Sequence, residues 1–434
     1  MWTSAAAIGF ACIFAAGAAA AGGMRTLRRV HDPVVVKTDR LAGLPTRETR
    51  DLLLYRMDGG RPVVIPFQFD PRDHAGDIVV DGPQEFRFDD DDELVFMATD
   101  AGDRAVSPPC PDGCDAVVEI EIVDPRPDDG GRAWAYLVHF REVPPRPAFE
   151  PYVTFDTAAQ SARSAFYQVS YAAGRNFFTA VRLGDGHGWI GPNLIRQTRM
   201  RGSPTFSLLF WNVTLDFTEQ NSLIAVDGVR VGPVRAVRRA RLSIDLGSVF
   251  PDFPSGTAYT YHYRTMYLTP SRIGFSWAIL KALRDFRFEN LLEFVPATMP
   301  LTYFDPEHAT GIALDRLESR EIRNTDDCDW WAHTSASGTM LHAFVIPPRW
   351  REWGVTRGTI LRRSAEEPSG DATLPPPIYA AGYTLQHMTR LRAAGTWDLL
   401  MASIVLPGPF QPGDEEDPMA LVRAPLLTET RRVR

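Results

Sequence analysis

Apolar and polar positions along this 434-residue chain recur in short runs, most of them at strand rather than helix spacing. Val118-Glu119-Ile120-Glu121-Ile122 alternates with period two, which predicts a strand with one apolar and one wet face. Asp51–Tyr55, Val63–Phe69, Leu94–Ala98 and Ala133–Phe140 are more evenly apolar and predict strands held between layers. Turn sequences separate them: Asp58-Gly59-Gly60, Asp81-Gly82-Pro83, Pro111-Asp112-Gly113 and Asp128-Asp129-Gly130-Gly131. Short strands with such regular punctuation predict a β-sandwich over residues 31–140. Pro66 places its run at an edge or a bulge, because proline cannot donate to a strand ladder.

Residues 141–151, with Pro144, Pro145, Pro147 and Pro151, predict a stiff linker. Beyond it the pattern is again strand-like, clearest in Phe206–Phe217, Leu223–Val231, Val234–Ile244, Tyr259–Leu268, Leu291–Tyr303, Leu341–Ile346 and Trp397–Leu406. One helix is predicted at Gly274–Phe286, where Phe275, Ile279, Leu280 and Leu283 share a helical face. So much strand over residues 152–407 exceeds one small sandwich. It calls for a larger supersandwich or two sandwiches in tandem, with one or two helices. Residues 408–434 begin with a Pro/Gly/acidic stretch and predict an exposed tail. The expected fold is therefore mainly β: an N-terminal sandwich followed by a larger one.

Gly232-Pro233-Val234-Arg235-Ala236-Val237-Arg238-Arg239, after Val226-Asp227-Gly228, resembles the central strand region of mutarotase-like supersandwich domains of secreted carbohydrate-active proteins. Ala381–Leu385 and Thr396–Leu399 are similar to the closing strands of such domains. Gly60–Asp70 and Asp91–Gly102 resemble sandwich modules of uncharacterised exported bacterial proteins. The resemblance covers about a third of the chain in short motifs; it implies a sugar-related setting and carries no catalytic residue across.

The apolar fraction of 44% and charged fraction of 23% are those of a folded globular protein. A formal net charge of −8 argues against a nucleic-acid partner, which needs clustered positive charge. Residues 1–23 read as an export signal, with an alanine-rich apolar stretch from Ala5 to Ala21 but no basic residue before it. A start at Met24 and a retained membrane anchor are the competing readings. Cys12 lacks the usual branched residue three positions before a lipidated cysteine, and no later segment is apolar enough to span a bilayer. The expected location is periplasmic or extracellular. Cys110 and Cys114 enclose a turn and predict a small disulfide loop, leaving Cys328 as a buried free thiol.

Three groups of residues are candidates for chemistry. Asp89, Asp91 and Asp92, with Asp70, supply the carboxylates a structural Ca²⁺ requires, although the spacing is not that of an EF-hand and a solvated acidic edge would look the same. His262, Tyr263 and His187 are the candidate acid–base residues, and Trp189, Trp330, Trp331 and His333 the candidate substrate-binding ones. Aromatic faces suit the apolar side of a sugar ring. Strand alternation puts His262 on the face opposite Tyr261 and Tyr263. Asp326, Asp327 and Asp329 are the third group, since paired carboxylates can flank a glycosidic bond. No serine nucleophile elbow, phosphate loop, HExxH or CxxCH occurs.

These observations support two readings. The first is an exported carbohydrate-binding or carbohydrate-active protein with a polysaccharide partner, its site on one concave surface holding Tyr263, His262, Trp189 and His187. The second is a non-catalytic envelope subunit or scaffold with a protein partner and no deep polar cleft.

Overall fold

The computed structural model describes residues 23–127, 130–175, 177–208, 211–219, 222–244, 255–317, 321–323, 327–364 and 378–434. Everything of the expected export segment except Gly23 lies outside the described residues. The fold is mainly β, with strands over 51% of the chain.

Two sheets form the N-terminal sandwich. Pro33–Lys37, Glu93–Met97 and Gln68–Asp70 make a three-stranded sheet with Glu93–Met97 in the middle. The facing sheet runs Leu427–Arg432, Cys114–Val123, Arg132–Phe140, Leu52–Asp58 and Arg61–Val64. Val34, Val36, Phe69, Leu94 and Phe96 from the first meet Leu52, Leu54, Ile120, Ile122 and Leu137 from the second. Pro66 falls in the break between the strands Arg61–Val64 and Gln68–Asp70.

The structure departs from two expectations. The C-terminal segment is not an exposed tail: Leu427–Arg432 pairs antiparallel with Cys114–Val123, and the helix Glu416–Arg423 buries Met419 and Ala420. Leu427-Thr428-Glu429-Thr430-Arg431-Arg432 lacks an apolar face because an edge strand can be held by its backbone ladder alone. Glu119, expected on a wet face, is buried, with Arg431 at 2.8 Å and the Tyr136 hydroxyl at 3.3 Å. Ala105 covers that face, its N–H donating to the Tyr136 hydroxyl. Downstream in the same loop, Cys110 and Cys114 form a disulfide.

The second part is a larger sandwich. Its nine-stranded sheet runs Ser222–Val231, Ala236–Ile244, Ser255–His262, Met266–Phe275, Gly395–Leu406, Gly338–Val345, Trp330–Ser335, Thr302–Phe304 and Ile312–Ala313. Its seven-stranded sheet runs Trp211–Thr214, Ile195–Leu208, Leu283–Phe294, Ile378–Gln386, Thr356–Ser364 and Glu321–Arg323, with Phe217–Thr218 also on Ile195–Leu208. A four-stranded meander, Val153–Asp156, Ser161–Ser164, Tyr167–Tyr171 and Phe178–Leu183, closes one flank and shares the core between the two large sheets.

The predicted helix at Gly274–Phe286 shrinks to Trp277–Ala282, capped by Ser276. Phe275 ends a strand of one sheet and Phe286 lies in a strand of the other, so both reach the core from opposite layers. From Leu283 onward the two-residue period of Phe286, Phe288, Asn290 and Leu292 overrides the helical one. Tyr259–Leu268, read as one strand, is a hairpin that turns at Tyr263.

The two sandwiches pack as four layers. Leu94 and Phe96 point to the five-stranded sheet, whereas Val95 and Met97 of the same strand meet Tyr263, Leu341, Ala343, Ala402 and Ile404 of the nine-stranded sheet. Beside these apolar contacts lies a buried ion lattice. Asp70 is paired with Arg235 at 2.7 Å and Arg230 at 3.3 Å, and Glu93 with Arg235 at 2.9 Å and Arg72 at 2.6 Å. Gln68 accepts the N–H groups of Val234 and Arg235 and donates to Asp70. The Arg235 guanidinium also donates to the Tyr263 hydroxyl and stacks 4.6 Å from the Tyr261 ring. Every charge in this seam has a partner, which is what makes its burial tolerable.

Candidate functional site

One cross-strand row organises the interior of the large sandwich. The pairings His262↔Tyr267, Tyr267↔Ser403, Ser403↔His342 and His342↔Trp331 link five adjacent strands of the nine-stranded sheet. These side chains share the inner face of the sheet: Trp331 and His342 face the seven-stranded sheet, whereas His262 lies against Tyr167 and Tyr171 of the meander. The Tyr171 hydroxyl lies 2.7 Å from His262 Nε2. Ser403 Oγ lies 2.9 Å from His342 Nδ1, and His342 Nε2 lies 3.4 Å from His333 Nδ1. The Trp331 ring stacks on His342 with centroids 4.1 Å apart.

Burial sets the electrostatics of this row. It pushes the His262 and His333 imidazoles down to about 3, the former helped by the nearby Arg238 cation. His342 falls well below the usual range through burial and its neighbour His333. Tyr267 is pushed up to about 12. At neutral pH these groups are uncharged donors and acceptors. An imidazole so reluctant to take a proton is a poor general base, so the row suits binding better than acid–base catalysis.

Between the sheets lies a cavity of about 150 Å³, lined by seven phenylalanines together with Met200, Leu242, Ile273, Leu399 and Met401. It adjoins a recess of about 60 Å³ lined by Tyr267, His342, Ser403, Asn290 and Tyr383. Phe178, Thr198, Thr269, Asn290, Tyr383 and Met401 line both, so the two are one cleft with an apolar chamber and a smaller end where polar groups stand among Leu292, Trp331 and Met401. The Tyr383 hydroxyl and the Trp350 indole N–H line this cleft and have no hydrogen-bond partner among the described residues. A buried polar group in that state costs about 1–3 kcal/mol, which a ligand atom would recover.

The candidate residues do not form the expected single concave surface. His262 faces the interior, whereas Tyr263 lies in the seam between the sandwiches with Arg235. His187 and Trp189 are exposed on the turn after Leu183, with their N–H groups on Asp185. Trp331 and His333 face the interior, but Trp330 packs on Phe410 in the seam. Of the acid–base and substrate candidates, only His262, Trp331 and His333 lie within the large sandwich's interior. Tyr267, His342, Ser403 and Tyr383 escaped notice, because a polar residue in an apolar strand signals nothing until its register is known. The signal available was His342 two residues before Phe344, and His333 two after Trp331, in adjacent runs.

The acidic candidates do not converge either. Asp70 is held by two arginines, and Asp92 accepts the backbone N–H groups of Arg72 and Asp89. Asp89 and Asp91 are exposed, the former bonded to the N–H of the latter. Among the described residues no three His, Cys, Asp or Glu side chains are placed to hold a metal ion. Asp327 pairs with Arg351 and Arg357, and Asp329 with Arg423; Asp326 lies outside the described residues. Cys328 is a buried free thiol, pushed up to about 12 by burial.

No family model and no curated protein matches the chain. Among solved structures it is similar to a glycosyl hydrolase family 38 protein from Enterococcus faecalis, at 9% identity and TM-score 0.40 over 94% of this chain and 47% of that one. It is also similar to an alpha-mannosidase from Enterococcus faecalis V583, at 10% identity and TM-score 0.42 over 94% of this chain and 45% of that one. A third likeness is to the Slr1438 protein from Synechocystis sp. PCC 6803, at 10% identity and TM-score 0.33 over 62% of this chain and 99% of that one. The chain thus spans less than half the length of the first two.

Proposed function

We infer that the chain is a binding protein whose ligand enters the cleft between its two large sheets. The observation that carries this reading is the joining of a phenylalanine-lined chamber of about 150 Å³ to a smaller recess into whose mostly apolar wall His342, Ser403, Asn290 and Tyr383 bring neutral polar groups. An apolar cavity of about that volume accepts a benzene-sized group. The ligand is therefore a small amphiphile: an apolar ring or short chain with a compact, uncharged polar head directed at His342, Ser403, Asn290 and Tyr383. A bare sugar fits the chamber poorly, because each hydroxyl buried against phenylalanine would lack a partner. The Cys110–Cys114 disulfide supports an exported setting, periplasmic or extracellular.

The test is a titration with the fluorescent amphiphile N-phenyl-1-naphthylamine. Wild-type protein should bind it with a saturable rise in emission. Ala258→Phe, which fills the chamber from the nine-stranded sheet, should remove the rise while leaving the circular dichroism spectrum unchanged. Equal emission from a folded Ala258→Phe variant would overturn the reading. A glycan-array signal that survives the same substitution would favour the carbohydrate reading, with a site outside the cleft where Trp189 and His187 are exposed. Stoichiometric co-purification of an envelope protein, with no probe bound, would favour the scaffold reading.

A further inference from the structure

The outer face of the seven-stranded sheet carries a second, chemically opposite pocket. Arg201 and Ser203 on Ile195–Leu208, Arg287 and Glu289 on Leu283–Phe294, and Arg362 on Thr356–Ser364 line a hollow of about 210 Å³. Arg201 stands directly across from Glu289 in the ladder. The Glu289 carboxylate, which also lines the hollow, is bound instead by Arg287 at 2.5 Å and by Arg362 at 3.1 Å. The next pair along is also closed: Arg199 is bound to Glu293 and to Glu219. At the rim, Ser203 donates to Asp216. Arg201 is left half-buried, with no ion pair or hydrogen bond from its guanidinium to any described residue. Among the described residues, three guanidiniums thus line the hollow against one carboxylate, and that of Arg201 has no partner.

We propose that this hollow is an oxyanion-binding site, in which Arg201 forms a forked hydrogen-bond pair with a carboxylate, sulfate or phosphate group of a small ligand. Guanidinium geometry matches such groups bidentately. Desolvation, and the positive charges of Arg199 and Arg362, lower the proton affinity of Arg201 despite the opposing pull of Glu289 and Glu219. The three guanidiniums that line the hollow outnumber its one carboxylate, which favours an anion. The site is independent of the cleft, since it lies on the opposite face of the same sheet.

The experiment follows thermal unfolding against sulfate at constant ionic strength, balanced with sodium chloride, for wild type and Arg201→Gln. General salting-out acts on both proteins alike. A site adds a saturable rise in Tm on top of it, by mass action on the native state. The expected result is such a rise in wild type and its loss in Arg201→Gln. The substitution itself should leave Tm equal or higher, because it removes an uncompensated charge. Parallel responses in the two proteins, or a lower Tm for Arg201→Gln without sulfate, would overturn the proposal. A parallel series with glucuronate separates the sources. Saturation at lower glucuronate than sulfate indicates an organic acid, and the reverse indicates an inorganic ion.

Discussion

His262 offers a sharp test of how dry the interior of the large sandwich is. Its side chain is 0% exposed, and burial holds its pKa at about 3. In the unfolded chain the same imidazole titrates near 6.5. The folded-state value is the lower one, so the stabilisation is complete above about pH 6.5 and is lost as the pH falls toward 3. Between pH 7 and pH 5 the unfolded state takes up a proton that the native state refuses, which destabilises the fold by about 2 kcal/mol for this residue. Asp32, which burial raises to about 6, acts in the opposite sense over part of this range. The whole-protein profile therefore mixes signs, and the informative quantity is a difference. Urea unfolding at pH 7 and pH 5, followed by tryptophan fluorescence, should show wild type losing about 2 kcal/mol more than His262→Gln. The variant will be weaker at both pH values, having changed the contact with the Tyr171 hydroxyl, but that offset cancels. Parallel pH responses would refute the reasoning, since they would mean that His262 is protonated within the folded protein.

Two further predictions concern how the sandwiches are joined. Arg235→Met leaves Asp70 and Glu93 buried with one cation fewer each; removing one partner from such a lattice costs about 3–5 kcal/mol, and the urea midpoint should fall accordingly. An unchanged midpoint would show that Arg230 and Arg72 suffice. Ending the chain after Ala424 removes Leu427–Arg432 and exposes the edge of Cys114–Val123; hydrogen exchange at Val117, Glu119 and Glu121, whose N–H groups face that strand, should then speed up, whereas exchange in Gly395–Leu406 should not change. Uniform acceleration throughout would contradict the assignment of that strand to the N-terminal sandwich alone.

Much of the fold was legible because β periodicity is local. Ala133–Phe140, Leu223–Val231 and Trp397–Leu406 lie close to the strands Arg132–Phe140, Ser222–Val231 and Gly395–Leu406. The phrases that resemble supersandwich strands fall in the large sheets as well: Ala236–Arg239 in Ala236–Ile244, and Ala381–Leu385 in Ile378–Gln386. What failed was whatever depended on partners distant in sequence. Leu427–Arg432 carries no apolar signal, because its partner supplies the ladder from about three hundred residues upstream. The helical face at Phe275–Leu283 was real as spacing, but two sheets compete for its ends, and their pull leaves a single short helix between them.

The site was less legible for the same reason, taken one step further. A row such as His262, Tyr267, Ser403, His342 and Trp331 exists only once five strands are in register, and a slip of one residue in any strand would turn its member out of the interior. The acidic phrase near the N-terminus shows the converse. Its carboxylates were legible, but Asp70 and Glu93 flank apolar residues that alternate between two cores, so they are carried into the seam where Arg235 waits. A strand buried on both faces can bring carboxylates inside only if the next layer supplies cations. In Gly232-Pro233-Val234-Arg235 the nine-stranded sheet does so, at a turn whose Gly232 leaves no room for a side chain against Gln68. The charge pattern of the first sandwich is thus a record of the second one packed against it.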